Sequence, residues 1–403
     1  MSFNTALSGI QAASADLGII GNNVANSATT GFKSSRAEFS DVYASLLGAS
    51  DTTIGSGVRL QNVAQQFAQG NVTFTNNALD LAISGSGFFQ MESGGATIYS
   101  RAGNFSLDRD GYVVNNDGAT LMARSADSSG AITGAVGPLQ LDSNYVAPNQ
   151  TTALTANINL DAREAATTLG WSLVAGVPDP AGYNSSTTTT IYDSLGNDHT
   201  VAMYFSKSGP NVWDVRTIID GTLVNTTPVT FNTDGSYNVP ALISPVTFSP
   251  AGGAVDPQSF DIDLSASTQY GSEFAVNSLS QDGYTSGQLL GVTIDKEGIV
   301  FARYSNGQSQ ARGQIVLANF SNVQGLQPLG DTAWAETFAS GAPVVSEPGT
   351  AGLGLIQSSA LEDSNVDLTD QLVRMIEAQR NFQANAQTIQ AEDAVTQTII
   401  NLR

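Results

Sequence analysis

The chain contains no cysteine. Disulfides, thiol nucleophiles and thiolate metal sites are therefore excluded together. It contains a single histidine, His199, which sits in a strand-like stretch with no nucleophile motif around it. The expectation for His199 is a solvent-facing strand residue, not a catalytic base. Charge is scarce as well, at 13% of residues against about a quarter in ordinary soluble domains. Positive charge is scarcest. The 15 Lys and Arg are outnumbered by 36 Asp and Glu, for a formal net charge of −21. Such a chain repels DNA, RNA and anionic lipid at long range, so neither nucleic acid nor a membrane surface is an expected partner. No run of about 18 apolar residues occurs, and no membrane insertion is expected. The opening MSFNTALSGIQAASADLGII lacks the basic start and continuous apolar stretch of a cleaved Sec signal.

Polarity comes instead from Ser, Thr, Asn, Gln and Gly, and the apolar fraction of 41% suffices for ordinary cores. The clearest patterning lies at the two ends. Phe3, Ile10, Leu17 and Val24 fall seven apart, with Ala6, Ala13 and Ile20 three after the first three of them. Leu368, Met375, Phe382 and Ile389 repeat the spacing near the C-terminus, with Leu372, Ala386 and Ile400 on a second track that Gln379 and Asp393 interrupt. A seven-residue repeat is a narrow apolar seam on a helix, and a narrow seam needs a partner to cover it. The first helix is expected from residue 2 to about 28, with Ser2 as a possible cap. The second is expected to start at Ser364 or Asn365, with Asp367 and Asp370 at its positive end, and to run to about Leu402. Within residues 1–32 the only charged side chain is Asp16, so the first helix lacks the charged outer face of a solvated one. Gly9 and Gly18 each weaken a helix by about 1 kcal/mol relative to Ala, which is tolerable where neighbouring backbones approach closely.

Between the ends the period changes to alternation. HTVAMYF, KSGP and NVWDVRTII read as strand, turn and strand. LLGVTI, IVFARY and RGQIVLANF continue the pattern. Asp110-Gly111, Asp117-Gly118, Asp234-Gly235, Asp282-Gly283 and Asn306-Gly307 are turn pairs. The fold class is α+β: paired, coiled-coil-like terminal helices with two mainly antiparallel β domains, the second inserted in the first. The division is residues 1–35 and 360–403 helical, 36–71 connecting, 72–145 and 280–359 the first β domain, and 146–279 the inserted one. Gly48, Gly55 and Gly57, in the Gly/Ser-rich GASDTTIGSG, are candidate hinge positions.

The bland explanation is preferred for the remaining motifs. Asn22, Asn23 and Asn26 read as helix termination and local capping, with polar contact between helices as the alternative. Asp108 to Gly111 suggests a calcium loop, but Ala119 stands where the terminal acid would be needed. Asp261 and Asp263 share a strand face without a supporting motif. Gly85-Ser-Gly87 is too short to cradle phosphate. Trp171, Trp213 and Trp334 are expected in cores. No catalytic, cofactor or metal residue is assigned.

Four stretches carry a family resemblance. GIIGNNVANSATTGFKSSRAEF (18–39) resembles the N-terminal signature of the flagellar rod and hook protein family, and residues 364–403 resemble its C-terminal signature. SRAGNFSLDRDGYVVNNDGATLMA (100–123) and GQIVLANFSNVQGLQPLGDTAWAET (313–337) are similar to its shared β domain. The chain's length and its insertion point to the hook branch rather than a shorter rod subunit, with a distal rod or hook-associated junction protein as the alternative. The resemblance implies a non-enzymatic subunit of a helical homopolymer, the curved extracellular tube that couples motor to filament. It implies export through the flagellar export apparatus, and contact with the rod below, the cap at the growing end and the junction proteins above. In such a polymer, Phe3, Ile10, Leu17, Ile20, Val24, Leu368, Leu372, Met375, Phe382, Ile389 and Ile400 form the expected interface. A secreted adhesin or carbohydrate-binding protein is the reading from a different class, and the missing Sec signal argues against it.

Overall fold

The structure is a computed structural model that describes residues 2–42, 55–127, 130–141, 145–167, 170–174, 177–240 and 242–401. It is α+β and divides into two compact units. The first comprises residues 1–142, 291–303 and 309–403, and the second residues 143–290 and 304–308.

The first unit begins with helix α1 (Ser2–Ala25) and ends with helix α2 (Leu368–Asn401). Helix α1 ends at Ala25, about three residues before the expected end near 28, and an asparagine closes its last turn. The Asn26 backbone N–H and side-chain amide both donate to the Asn22 carbonyl, at 3.1 and 2.9 Å. The chain then enters strand β1 (Ser35–Asp41), which pairs antiparallel with β2 (Val58–Gln65) across a bulge at Glu38 and Phe39. The described end of the Gly/Ser-rich stretch, from residue 55 on, leads directly into β2. Gly48 lies outside the described residues. Gly57 is held in the hairpin neck, its carbonyl accepting the Val42 N–H at 2.8 Å.

Helix α2 is capped by Asp367, whose Oδ1 accepts the N–H groups of Thr369 and Asp370 at 2.8 and 3.2 Å. Neither Ser364 nor Asn365 caps it. Asn365 instead ties the chain ends to the hairpin, accepting the Ser34 N–H at 2.8 Å and donating to the Gln66 carbonyl at 2.7 Å.

The β body of this unit is antiparallel. Strand Phe88–Ser93 pairs with Ala96–Ser100, Thr120–Ala126 and Leu317–Asn319. Apolar positions from these strands, from Leu81–Ser84 and from Ser309–Ile315 form a buried cluster that includes Leu81, Ile83, Phe89, Met91, Leu121, Ile315 and Leu317. A second cluster groups Phe88, Tyr99, Phe320 and Trp334 in edge-to-face contacts. The Trp334 indole donates to Gln65 Oε1 at 2.6 Å, which fastens β2 to the body.

The second unit has two sheets that enclose one core. Strands Ser185–Tyr192, Asp198–Gly209, Val212–Ile219, Thr222–Phe231 and Tyr237–Val239 form an antiparallel meander. The hairpin expected from HTVAMYF and NVWDVRTII is its centre, with Val201, Met203, Phe205, Trp213 and Val215 all buried. In the other sheet, Ala153–Asp161 runs parallel to Gln258–Asp263 and Thr268–Tyr270 and antiparallel to Ala275–Gln281.

Gly111, Gly118, Gly235 and Gly307 all adopt positive φ, as expected of turns. Asp282-Gly283 does not close a hairpin. Asp282 Oδ1 accepts the N–H groups of Thr152 and Ala153 at 2.8 and 3.0 Å, pinning the start of the central strand. Trp213 is in the core, donating to Gln269 Oε1 at 3.1 Å. Trp171 is only partly buried, edge-on to Tyr204, with the Arg216 guanidinium 4.9 Å above its ring.

Candidate functional site

Helices α1 and α2 pack against each other. Asn23 Nδ2 donates to Gln371 Oε1 at 3.1 Å, and a Cβ placed on Gly9 would lie within 2.8 Å of the Asn385 side chain. These contacts match residue 23 with 371 and residue 9 with 385, so the pair is antiparallel. Asp16 falls between them and faces Arg374. Burial raises the Asp16 carboxyl, with Arg374 opposing the shift. The end of α2 beyond about residue 392 extends past the start of α1.

The line of contact is made mostly of small and polar residues. On α1 it is Ala6, Ala13, Ile20 and Asn23, and on α2 Gln371 and Ala378, all buried. The Ala6, Ala13 and Ile20 track expected from the sequence forms the α1 side of that line, while most of the other heptad residues flank it. Ile20 is buried, while Ile10, Leu17, Val24, Met375 and Ile389 are partly buried. Phe3, Leu368, Leu372, Phe382 and Ile400 are exposed. Leu368, Leu372 and Ile376 recur every four residues, a spacing that puts them on one helix face. With Val373 they form an apolar stripe whose members are 47–52% exposed. Val395 and Ile400 are exposed on the overhanging end. Gly18 and Gly21 face open space, and a Cβ placed on either would meet nothing within 4 Å. Asn23 departs from the local-capping expectation. Its side chain bridges α1 to β1 and α2, accepting the Ser35 N–H at 2.9 Å and donating to the Ser35 carbonyl at 2.8 Å.

A buried ionic junction sits where the helical ends meet the β body. Lys33 Nζ lies 2.6 Å from Glu362 Oε1 and Arg101 Nη1 lies 3.2 Å from Glu362 Oε2, with the Lys33 and Glu362 side chains fully buried. Glu362 Oε1 also accepts the Gly70 N–H at 2.9 Å, and Lys33 donates to the Ala68 carbonyl at 2.9 Å. Arg101 donates to the Gly85 carbonyl at 2.8 Å. Burial lowers the pKa of both cations, against the opposing pull of Glu362. One carboxylate thus joins four chain segments. Sequence reasoning assigned none of these three residues. Lys33 and Arg101 stand inside stretches that carry the family resemblance, but nothing in those stretches marks them as buried.

The other candidates resolve simply. Asp108 Oδ1 accepts the N–H groups of Asp110 and Tyr112, at 2.9 and 2.7 Å, in a plain turn. Asp261 accepts the Ser244 hydroxyl and Asp263 the Ser265 N–H. Among the described residues, no cluster of three or more acidic or histidine side chains is arranged to hold a metal, and no helix is long and apolar enough to cross a membrane. His199 does not face solvent. It is clamped between Asp193 and Asp220, with its side chain 12% exposed.

Comparison with known proteins decides the family. The chain is 38% identical over 415 residues to the flagellar hook protein FlgE of Salmonella typhimurium, with 100% of both chains covered. The chain belongs to the flagellar hook protein FlgE family. It is 37% identical to the Escherichia coli flagellar hook protein FlgE over 412 residues, again covering 100% of both. Against that of Borreliella burgdorferi it is 32% identical over 445 residues, covering 100% of this chain and 99% of the relative. Four family profiles match in order along the chain. They are the flagella basal body rod protein at residues 3–33, the flagellar hook protein FlgE/F/G D1 domain at 82–166, the flagellar basal body protein FlaE D2 domain at 159–284, and the flagellar basal body rod FlgEFG protein C-terminal at 357–402. The crystal structure of Helicobacter pylori flagellar hook protein FlgE2 shares the fold, with a TM-score of 0.54 at 15% identity, covering 72% of this chain and 100% of that one. As a member of the family, the chain is a structural subunit of the flagellar hook, serves motility and is not an enzyme.

Proposed function

We propose that the subunit polymerises through its terminal helix pair, with neighbouring copies covering the apolar faces that the pair leaves open. One observation carries this: α1 and α2 bury mostly small and polar side chains against each other and leave Leu368, Leu372, Val373 and Ile376 about half exposed. Covering the rest of each of these side chains contributes about 1 kcal/mol, and the gain repeats with every subunit added. Head-to-tail contacts that do not close make an open helical array, which suits a tube. In this arrangement residues 1–35 and 360–403 line the inside and residues 36–71 connect them to the β body. Residues 72–145 and 280–359 form the middle layer, and residues 146–279 the outer one.

The partners are other copies along the tube, the rod below, the cap at the growing end, the junction proteins above and the flagellar export apparatus. The subunit works in the extracellular hook, which it reaches through the flagellar export apparatus. Gly55, with open space around it, gives the bending polymer a point of give, beside the neck that Gly57 holds. Gly57 has φ +114 and a Cβ there would lie 2.2 Å from Ser8 Oγ, so a larger residue at this position would strain the joint.

The glycines of α1 supply a test that separates folding from assembly. Gly18 meets nothing in the single chain, so Gly18→Ala should stabilise α1 in the monomer by about 1 kcal/mol. Where a neighbouring backbone packs against that face, the added methyl should raise the critical concentration for polymerisation. Thermal melting of the monomer and light scattering of the assembling protein measure the two effects. Assembly at the wild-type concentration would remove Gly18 from the interface.

A further inference from the structure

The only histidine links two turns at one end of the meander in the second unit. His199 Nδ1 lies 2.6 Å from Asp220 Oδ2, and Nε2 lies 3.5 Å from Asp193 Oδ2. Nε2 is buried and has no hydrogen-bond partner among the described residues. The ring packs edge-on against Phe248, with centroids 5.2 Å apart. Asp193 is fully buried, and its Oδ1 accepts the N–H groups of Leu195 and Asn197 at 2.8 and 2.9 Å, so it organises the turn that precedes the His199 strand. Asp220 lies in the turn after Val212–Ile219, at φ +48, and its Oδ1 accepts the Thr200 N–H at 2.9 Å.

The surrounding elements add no opposing charge. Strand Ser185–Tyr192 places Ile191 opposite His199, and strand Ile243–Phe248 contributes Phe248. Asp198 is the adjacent residue, on the other face of its strand. Asp256 follows Val255, whose N–H donates to Ser194 Oγ at 2.8 Å. Among the described residues no Lys or Arg forms a salt bridge with Asp193 or Asp220.

A neutral imidazole carries one N–H. With that proton on Nδ1, directed at Asp220, the Nε2 lone pair is turned toward the Asp193 carboxylate. With the proton on Nε2, the lone pair meets Asp220 instead. Only the cation offers a donor to both sides. We propose that His199, Asp193 and Asp220 form a proton-operated staple that locks the 193–197 turn to the 220–221 turn when the ring is charged and releases it when the ring is neutral. Burial disfavours the charged ring, but the hydrogen bond and charge of Asp220, then those of Asp193, outweigh it and hold the pKa above its ordinary value. A raised value means that the staple contributes fully below about pH 6.5 and is lost as pH rises through the folded-state pKa. The turn it fixes carries the exposed Leu195 and anchors, through Ser194, the loop with the exposed Val255. Titration therefore changes an apolar part of the unit's surface.

A single histidine gives one set of imidazole NMR signals in the full-length chain, so the first test needs no variant. The ring is expected to titrate above about pH 6.5. Amide protection at Leu195, Asn197 and Thr200, measured relative to core amides of the same unit, should fall several-fold as pH rises through that midpoint. In His199→Gln the same relative protection should lose its pH dependence. A ring that titrates at or below about pH 6.5, or turn amides that track core amides across the titration, would overturn the staple.

Discussion

Leu372→Asp is expected to abolish tube formation while leaving the monomer folded. The side chain is 51% exposed in the single chain, so a carboxylate there stays in water and changes monomer stability by no more than about 0.5 kcal/mol. Under a neighbouring copy the same carboxylate would be desolvated without a partner. The loss combines about 1 kcal/mol of apolar burial with roughly 2 kcal/mol or more for a buried unpaired charge. Together these raise the critical concentration by about 100-fold. Ile376→Asp, on the same stripe, should behave alike, and the two should mark one surface. Sedimentation of assembled material against total concentration measures the shift, with circular dichroism as the folding control. An unchanged critical concentration in both variants would remove the stripe from the interface.

Glu362→Gln is expected to act in the opposite sense, on folding first. Glu362 is the one anion between two buried cations, Lys33 and Arg101. Neutralising it leaves two charges in a dry site, and breaking a buried pair in this way destabilises by about 3–5 kcal/mol. Both α-helices of the described residues belong to the first unit, so helical ellipticity in a urea titration reports on this unit in particular. The predicted result is an earlier midpoint for the helical signal, with the second unit's β transition unmoved. Assembly should fail as a consequence, because the junction fixes where both helices leave the β body. A loss below about 1 kcal/mol would mean that Gln keeps the Gly70 and Lys33 hydrogen bonds and that the charge matters little.

The parts of this fold that could be read from the residues are those where one periodicity decides. Val201, Met203 and Phe205 alternate and face a core, and the 198–219 hairpin followed from them. The seven-residue spacing at both ends located the helices. The Ala6, Ala13 and Ile20 track marked the buried side of α1, but the α2 side escaped it, because buried Gln371 and Ala378 fall on neither apolar track. The apolar track beside them was the conspicuous one and lies at the margin or in solvent. A repeat in a sequence does not distinguish a face covered within the chain from one left open.

Charge was the least legible feature. Lys33, Arg101 and Glu362 are distant in sequence and meet only once the sheet brings residues 31–33, 68–70, 85–101 and 362 together. His199 misled for a similar reason: alternation gave its strand, but the two flanking carboxylates arrive on separate turns. The antiparallel pairing of β1 with β2 on either side of the 48–57 stretch is likewise announced by no local pattern.

The native chain lacks cysteine, so Leu372→Cys introduces a single thiol at the centre of the stripe. Its rate of reaction with a water-soluble maleimide, compared between monomer and assembled tube, is the most direct test of whether other copies cover this face. Rapid labelling of the monomer and at least about tenfold slower labelling of the polymer are predicted, in line with burial at a packed interface. Equal rates in the two states, or a thiol already protected in the monomer, would contradict the account.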